Sequence, residues 1–433
     1  MGKYIIIPGC CDLNRGDQAL GWETKRIAEE AGYKGSYSIL AERGEPVDQS
    51  IQEGYHIIAP VLEHPSRKFS NRNNIIYNRK TKILWGWIAL KDFIFSYSLL
   101  KSKHFRNKVI HNTTNFQLKE SLETFENADA IFMKGGGLIQ SHGGLLSTYA
   151  TYYRIYHILL AQALEKPVYI LPNSFGPFKG PGVKKMTKKA LENCVFVSAR
   201  EKISQDVIAN ELGLNIPYYP DLGFFLQNGN VKRKILCDSM NIDPNMKIVA
   251  ITMRPYRFPE EKNPEQAYLN FKSEMKKFIQ ELYASGFMPL IIEHTFAITS
   301  HENDGDCIKD VLEGIENKEY RLLSDRSMNC RDLKSVYGCC DYIVGTRFHS
   351  LIFSLSNKVP GIAISYDGYK SIGIMKDMGL EKYVIDINQV SQATLMDMFY
   401  RMIDEEEDIK RRIDRYIDVA YDLRKKLIEE IRI

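Results

Sequence analysis

The sequence has little that would tie the chain to a membrane span, an oxidising compartment or a nucleic acid. No uninterrupted apolar run reaches the roughly 18 residues that cross a bilayer. The first residues lack the apolar core and small-residue cleavage site of a secretory signal. The eight cysteines include no Cys-x-x-Cys spacing, so we expect reduced thiols and no zinc cluster. Reduced thiols favour a cytoplasmic protein, and a net charge of only +4 is too small to argue for a nucleic-acid partner.

The length of 433 residues, with 44% hydrophobic and 26% charged residues, indicates a globular chain of two domains. Short apolar runs alternate with helical patterns in both halves, which is typical of parallel sheets with right-handed crossovers. The predicted fold is therefore α/β, with two doubly wound Rossmann-like domains facing across a cleft. We place these domains at 1–230 and 246–385, followed by a C-terminal helical segment at 386–433. Strands are predicted at 4–7, 57–60, 130–133, 168–171, 194–198, 248–252, 288–292, 342–344 and 361–364.

One insertion, at 61–112, departs from this pattern. It contains eleven Lys and Arg residues against two acidic ones, and its stretch 83–100 is aromatic and strongly apolar. A basic, aromatic helix can lie in the interface of an anionic membrane. It can equally pack on the sheet or on a partner chain, because apolar helices usually belong to a core. Both interpretations of 83–100 stay open at this point.

The strongest candidate site follows the predicted strand 342–344. The sequence there is Gly345-Thr-Arg347-Phe-His349-Ser, and a helical pattern begins after it. In open α/β sheets, ligands bind at the carboxyl ends of the strands. The guanidinium of Arg347 suits a phosphate or carboxylate, and His349 can exchange a proton near neutral pH. Arg254 also follows a predicted strand, so we expect it at the same edge as a second anion-binding group.

Several loops of the first half supply further candidates. Asn14 and Asp17 follow the first strand and either cap the next helix or bind hydroxyl groups. Gly135, Gly136 and Gly137 either expose backbone amides to an anion or sugar, or form a tight turn that only glycine fits. Asn173 and Ser174 stand in a proline-rich loop, and Arg200 opens a helix where an anion is favoured. His301, Asp304 and Asp306 resemble a metal set only loosely, and we interpret them as hydrogen-bonded surface residues.

Seven short motifs together resemble the polysaccharide pyruvyl transferase family. They occur in order across roughly residues 4–380, and each is only moderately specific. The insertion at 61–112 and the last fifty residues match little of diagnostic value. The motifs are Asn14-x-Gly-Asp17, Gly135-Gly-Gly-Leu, Asn173-Ser-Phe-Gly-Pro, Ser198-Ala-Arg-Glu-Lys-x-Ser204, Pro220-Asp221, Thr346-Arg-Phe-His-Ser and Tyr366-Asp-Gly-Tyr-Lys370.

The resemblance implies a fold similar to two-domain GT-B glycosyltransferases. It also implies transfer of the enolpyruvyl unit of phosphoenolpyruvate to two hydroxyls of one sugar, which forms a pyruvate ketal and releases phosphate. Arg347, Arg200 and Arg254 would bind this donor, with His349 as acid/base. Asn14, Asp17, the three glycines, Asn173 and Ser174 would face the sugar in the first domain. No cofactor or metal is expected, and the acceptor would be carried on a polyprenyl diphosphate during assembly of a capsule or exopolysaccharide.

Two other functions fit the same sequence. A GT-B glycosyltransferase that uses a nucleotide sugar would need an acidic residue in the C-terminal half to bind the hydroxyls of the ribose. Glu293 and Asp367 are the candidates for that role. A catalytically silent carbohydrate-binding subunit would need no acid/base at all. The expected location is the cytoplasm, with peripheral contact to the inner face of the membrane if 83–100 binds lipid.

Overall fold

The chain forms two compact units. The structure, a computed structural model, describes residues 1–42, 44–63, 79–144, 146–296, 302–366 and 370–433, and only the backbone of 79–82. The first unit comprises Met1–Asp12, Leu20–Asp221 and Arg424–Ile433, and the second comprises Leu13–Ala19 and Leu222–Leu423.

This division differs from the predicted boundaries. The second unit begins at Leu222, where a buried 3-10 turn spans Leu222–Phe225. Lys334 holds this turn in the second unit, because its ammonium donates to the carbonyl oxygens of Gly223, Phe224 and Leu226. The interval between the two predicted domains, 231–245, contains a helix of the second unit, Arg233–Met240. The last ten residues return to the first unit, where Arg424 forms a bidentate ion pair with Glu30.

The first unit contains a parallel sheet of seven strands. Their order is β3-β2-β1-β4-β6-β5, and β7 pairs with the edge of β6 that lies opposite β4. The strands are β1 (Gly2–Ile7), β2 (Gly35–Leu40), β3 (Tyr55–Ile58), β4 (Ala130–Met133), β5 (Gly136–His142), β6 (Val168–Lys179) and β7 (Phe196–Ala199). Strands covered on both faces read as unbroken apolar runs, and β4 is buried at every position.

Helices connect these strands. They are α1 (Arg15–Glu30), α2 (Asp48–Gln52), α3 (Arg79–Lys101), α4 (Lys103–Asn112), α5 (Phe116–Glu126), α6 (Ser147–Ala163), α7 (Val183–Glu192) and α8 (Lys202–Leu212). The core packs Ile5 and Ile131 of the sheet with Phe125 of α5 and Tyr156 of α6. The two helices of the basic insertion belong to the same unit, where α3 packs against α6 and α4 packs against α5.

The second unit is also a parallel sheet, with the order β10-β9-β8-β11-β12-β13. Numbered within the unit, this order is 3-2-1-4-5-6, which is the order of the Rossmann fold. The chain adds strands on one side of the first strand and then on the other, so the strand order reverses between the first and fourth strands. The strands are β8 (Lys247–Thr252), β9 (Phe287–Ile292), β10 (Arg321–Leu323), β11 (Tyr342–Gly345), β12 (Gly361–Ser365) and β13 (Val384–Asp386). The centre of the sheet is therefore the pair β8 and β11.

Local sequence explains where the helices of this unit begin. Before α10 (Pro264–Ala284), the side chain of Asn263 accepts a hydrogen bond from the amide of Gln266, and proline occupies the first helical position. Buried residues then recur every three or four positions along one face. The other helices are α9 (Arg233–Met240), α11 (Asp304–Leu312), α12 (Cys330–Gly338), α13 (Phe348–Leu355), α14 (Lys370–Asp377), α15 (Gln392–Asp404) and α16 (Glu406–Glu430).

Candidate active site

The carboxyl ends of β8, β11 and β12 bring three polar side chains together in the second unit. Arg254 lies two residues beyond β8, Arg347 two residues beyond β11, and Tyr366 directly beyond β12. Because β8 and β11 are the neighbouring strands at which the order reverses, this edge is where α/β sheets bind their ligands. The predicted position of Arg254 and Arg347 at the ends of parallel strands is confirmed within this unit.

Hydrogen bonds fix the turn that carries Arg347. The amide of Thr346 donates to the carbonyl of Thr252 at 3.1 Å, and the hydroxyl of Ser350 donates to the carbonyl of Arg347 at 2.6 Å. Glycine is required at position 345, because a Cβ atom there would lie 2.6 Å from the hydroxyl oxygen of Thr252. The turn is thus rigid before α13 begins at Phe348.

The guanidinium of Arg347 is buried and already bound to two acidic residues. Its Nε and Nη2 atoms donate to one carboxylate oxygen of Asp304, at 2.8 and 2.6 Å. Its Nη1 atom donates to the carboxylate of Glu302 at 3.2 Å. The prediction of an open anion-binding group therefore needs correction, since this structure places protein carboxylates around Arg347.

Burial and the neighbouring charges shift the pKa values of Asp304 and Arg347. Burial raises the pKa of Asp304 to about 6, although the positive charge of Arg347 acts in the opposite direction. Burial also opposes the charge on Arg347, but the two carboxylates outweigh it and raise the pKa of the guanidinium. Asp304, which we predicted to lie on the surface, is fully buried and also accepts from the amide of Thr295. Among the described residues no group of His, Cys, Asp and Glu could hold a metal ion, and His301 lies outside them.

Glu302 joins the two arginines. One carboxylate oxygen accepts from Arg347, and the other lies 3.0 Å from Nη2 of Arg254. Arg254 also stacks over the ring of Tyr366, 4.5 Å from its centroid, and donates to its hydroxyl at 2.7 Å. Burial would raise the pKa of Glu302, but the two guanidinium charges lower it overall. The side chain of Glu302 is nevertheless 50% exposed, so this carboxylate occupies the solvent-facing position between two largely buried cations.

His349 is partly exposed and lies against the loop at the start of α1. Its ring packs on Phe348 and Phe353, with centroids 5.1 and 6.3 Å away. A Cβ atom at Gly16 would lie 2.2 Å from Nδ1 of His349, so only glycine permits this approach. This contact explains the glycine within the Asn-x-Gly-Asp motif.

Asn14 and Asp17 lie on either side of Gly16, the residue that approaches His349. Asn14 is the N-cap of α1, because its side-chain oxygen Oδ1 accepts from the backbone amide of Asp17 at 3.3 Å. The side-chain amide of Asn14 donates in turn to the carboxylate of Asp17 at 3.0 Å. Residues 13–19 belong to the second unit, so the predicted placement of Asn14 and Asp17 with the first domain is wrong.

Two neighbours of this site carried no recognisable sequence signal. Arg15 is almost completely buried, and its guanidinium donates to the carbonyl of Arg326 at 2.8 Å. His294 shares a hydrogen bond with Tyr337 at 3.0 Å. Burial, together with the charges of Arg347, His349 and Arg15, holds the pKa of His294 well below its usual value. His294 is therefore neutral at physiological pH.

The family described as polysaccharide pyruvyl transferase matches residues 14–368. The chain belongs to this family. It is also 22% identical over 320 residues to the amylovoran biosynthesis protein AmsJ of Erwinia amylovora, which covers 72% of this chain and 75% of that protein. The family match thus begins at Asn14 and includes Arg254, Arg347 and His349.

Solved structures support the fold of this pyruvyl transferase family member. Anabaena HepE in complex with UDP-glucose superposes with a TM-score of 0.53 at 10% identity, over 100% of this chain and 98% of that one. Arabidopsis thaliana UGT89C1 complexed with UDP gives 0.56 at 8% identity over the whole of both chains. Trehalose 6-phosphate synthase of Burkholderia multivorans gives 0.55 at 10% identity, over 100% and 98%. The predicted GT-B-like class of two Rossmann-like domains is confirmed.

Three motif residues of the first unit form hydrogen bonds with other groups of the protein. They are Asn173, Ser174 and Arg200. Arg200 is almost completely buried, donating from Nη1 to Asp221 and from Nε to Ser174, each at 2.7 Å. Asn173 is fully buried and donates to the carbonyls of Lys134 and Leu171. We therefore withdraw Arg200 from the donor-binding set and assign these polar side chains to the support of β6 and the loop after β7.

The glycines of the second motif do not form the predicted loop. Gly136 and Gly137 open β5, which pairs with the second half of β6. At Gly135 a Cβ atom would lie 3.0 Å from the carbonyl oxygen of Pro172. Close packing between neighbouring strands therefore accounts for glycine at position 135 without a ligand.

Proposed function

We propose that this chain transfers the enolpyruvyl group of phosphoenolpyruvate to two hydroxyls of one sugar in a surface-polysaccharide precursor. Membership of the pyruvyl transferase family supports the class of reaction. The observation that carries the choice of donor is the pair of arginines at the strand-order reversal, which share a single exposed carboxylate. Phosphoenolpyruvate has a phosphate and a carboxylate, and either group fits the position that Glu302 occupies.

The reaction needs proton transfer as well as anion binding. Protonation of the methylene carbon makes the adjacent carbon electrophilic, and one sugar hydroxyl attacks it. The second hydroxyl then replaces phosphate, which closes the ketal. Of the two hydroxyl protons, one ends on the methyl group and the other on the released hydrogen phosphate. His349 lies in the first turn of α13, two residues after Arg347, and is the group that we assign to this proton transfer.

The acceptor in this proposal is a sugar carried on a polyprenyl diphosphate. The curated relative is named for the biosynthesis of amylovoran, which supports a role in building a polymer. Asn14 and Asp17 belong to the loop whose Gly16 approaches His349, and we assign the binding of sugar hydroxyls to them there, in place of the acceptor site that we had predicted in the first domain. No cofactor enters the proposed reaction.

Mass spectrometry of lipid-linked acceptors incubated with phosphoenolpyruvate tests the proposal. Ketal formation raises the mass of the acceptor by one pyruvic acid less one water and releases one phosphate per acceptor. A parallel incubation with UDP-glucose tests the glycosyltransferase alternative, which would add a whole sugar residue. Addition of a sugar, or no product with any acceptor together with no binding of phosphoenolpyruvate by thermal shift, would overturn the assignment.

Substitution of Glu302 by glutamine tests the shared carboxylate. Removal of this competing negative charge should tighten the binding of phosphoenolpyruvate and inorganic phosphate by about 5- to 10-fold, or about 1–1.4 kcal/mol. Isothermal titration gives the affinities directly. Glu316 is a matched control, because it is an exposed glutamate of the same unit paired only with exposed Lys318, and Glu316→Gln should leave both affinities unchanged. Weaker anion binding by Glu302→Gln would show that Glu302 supports the site rather than fills it.

A further inference from the structure

Helix α3 exposes far more apolar surface than a helix of a globular protein normally does. Its stretch Ile83–Lys101 has the length and composition of a membrane span, yet only 22% of that window is buried. Eight large apolar side chains are exposed to solvent over about four turns. They are Ile83, Leu84, Trp87, Leu90, Phe93, Ile94, Phe95 and Tyr97.

One face of α3 is fastened to the first unit. Trp85, Ala89, Ser96 and Leu99 are buried and recur at helical spacing. Trp85 packs edge-on against Tyr149 of α6, with centroids 5.6 Å apart, and the hydroxyl of Ser96 hydrogen-bonds that of Tyr152 at 2.9 Å. Because protein covers this face, α3 cannot be surrounded by lipid and is not a span in this fold.

The most exposed apolar stripe lies on the opposite side of the same helix. Ile83, Trp87, Leu90 and Ile94 also recur at helical spacing, about 180° around the axis from the buried residues. A helix with one face on its own domain and an apolar face directed outward can lie flat at a lipid surface.

The charge of α3 and α4 indicates what kind of surface binds this helix. Helices α3 and α4 together contain eight of the 58 Lys and Arg residues but only one of the 54 Asp and Glu residues, so the rest of the chain is slightly acidic. A second copy of the chain would bring the same excess of positive charge in its own α3 and α4, which opposes self-association. Acidic lipid headgroups supply the complementary charge.

We propose that α3 docks the protein on an acidic phospholipid bilayer, lying in the plane of the interface with Ile83, Trp87, Leu90 and Ile94 inserted among the headgroups. The stretch 83–100 therefore does both of the things that its sequence left open, because it packs on its own domain through one face and binds lipid through the other. This inference rests on the surface of α3 and does not depend on the reaction.

Vesicle sedimentation tests the docking. The full chain should bind vesicles of phosphatidylcholine with phosphatidylglycerol and bind vesicles of phosphatidylcholine alone far less, with binding lost at high salt. The double variant Trp87→Ser/Ile94→Ser should reduce partitioning by at least about tenfold. Ile235→Ser/Val419→Ser removes equally exposed apolar side chains from α9 and α16 and should have no effect. Equal binding by both double variants, or dimerisation of the wild type through α3 without vesicle binding, would overturn the proposal.

Tryptophan fluorescence provides a second measurement that does not depend on the sedimentation variants. All three tryptophans lie in the described part of the chain, and of these only Trp87 is exposed, at 60%, while Trp22 and Trp85 are buried. Acidic vesicles should shift the emission of Trp87 to the blue, and brominated lipids should quench it. In Trp87→Phe the shift should disappear while binding persists. An unchanged spectrum for the vesicle-bound wild type would place the contact elsewhere on the protein.

Discussion

Replacement of His349 by glutamine is expected to lower the rate of ketal formation by about 10²- to 10⁴-fold, the range for loss of a general acid/base. Glutamine retains a polar side chain of similar reach but cannot carry the proton. The affinity for phosphoenolpyruvate should change little, because the proposed anion contacts come from Arg254 and Arg347. Steady-state measurement of phosphate release in the presence of the acceptor gives kcat and KM separately.

The choice of control matters because His349 also packs against Gly16 and Phe353. His56→Gln removes an exposed imidazole from the first unit and should keep the wild-type rate. The thermal midpoint of His349→Gln then shows whether packing has been lost. A variant that folds normally and keeps more than about a tenth of the wild-type kcat would mean that His349 is a packing residue and that another group moves the proton.

The sequence predicted strands best where both faces are buried. Ala130–Met133 was predicted with the observed bounds because all four residues are apolar and covered. Gly35–Leu40 was missed because serines interrupt its apolar pattern, although one edge of the strand pairs with β1. The strand that opens at Gly136 was interpreted as a loop, since glycine is rare inside strands and close packing cannot be read from composition.

Within the candidate site, the sequence identified single residues more reliably than their partners. Arg254, Arg347 and His349 each follow a recognisable strand, so topology alone places them at one edge. Glu302 and Asp304 reach Arg347 from another loop, 45 and 43 positions away, and no periodicity connects them. The same limit applies to Arg200, where only the structure reveals the ion pair with Asp221.

Unit boundaries depend on the same kind of long-range contact. Residues 13–19 follow the first strand directly, so sequence order assigned them to the first domain. In the structure Leu13 and Asn14 pair with Phe296 and Thr295, which brings Gly16 onto His349. The Asn-x-Gly-Asp motif therefore contributes to the site of the second unit, and this reassignment could not have been made from spacing.

The second large effect is expected when Arg347 is replaced by methionine. Asp304 would then lose the cation that compensates its buried charge, and breaking such a pair from one side costs about 3–5 kcal/mol. Asp304 already has its pKa raised to about 6 by burial, and loss of the arginine should raise that pKa further. A carboxyl whose pKa is higher in the folded than in the unfolded state favours folding at low pH. The stability of Arg347→Met should therefore fall as pH rises from about 4 through the folded-state pKa of Asp304.

A second substitution separates stability from function in this pair. In Arg347→Met/Asp304→Asn the buried site has no charge left to compensate, and the asparagine oxygen can still accept from the amide of Thr295. Urea denaturation at pH 5 and pH 8 should show that most of the lost stability returns and that its added dependence on pH disappears. Lys358→Met is the control, because the pair of Lys358 and Asp414 is solvent-exposed and should contribute little to stability. The double variant should fold yet bind phosphoenolpyruvate weakly, since one of the two cations that follow β8 and β11 is gone. Wild-type affinity in that folded variant would mean that Arg347 serves only to hold Asp304, and the donor site would then have to be sought away from the strand ends.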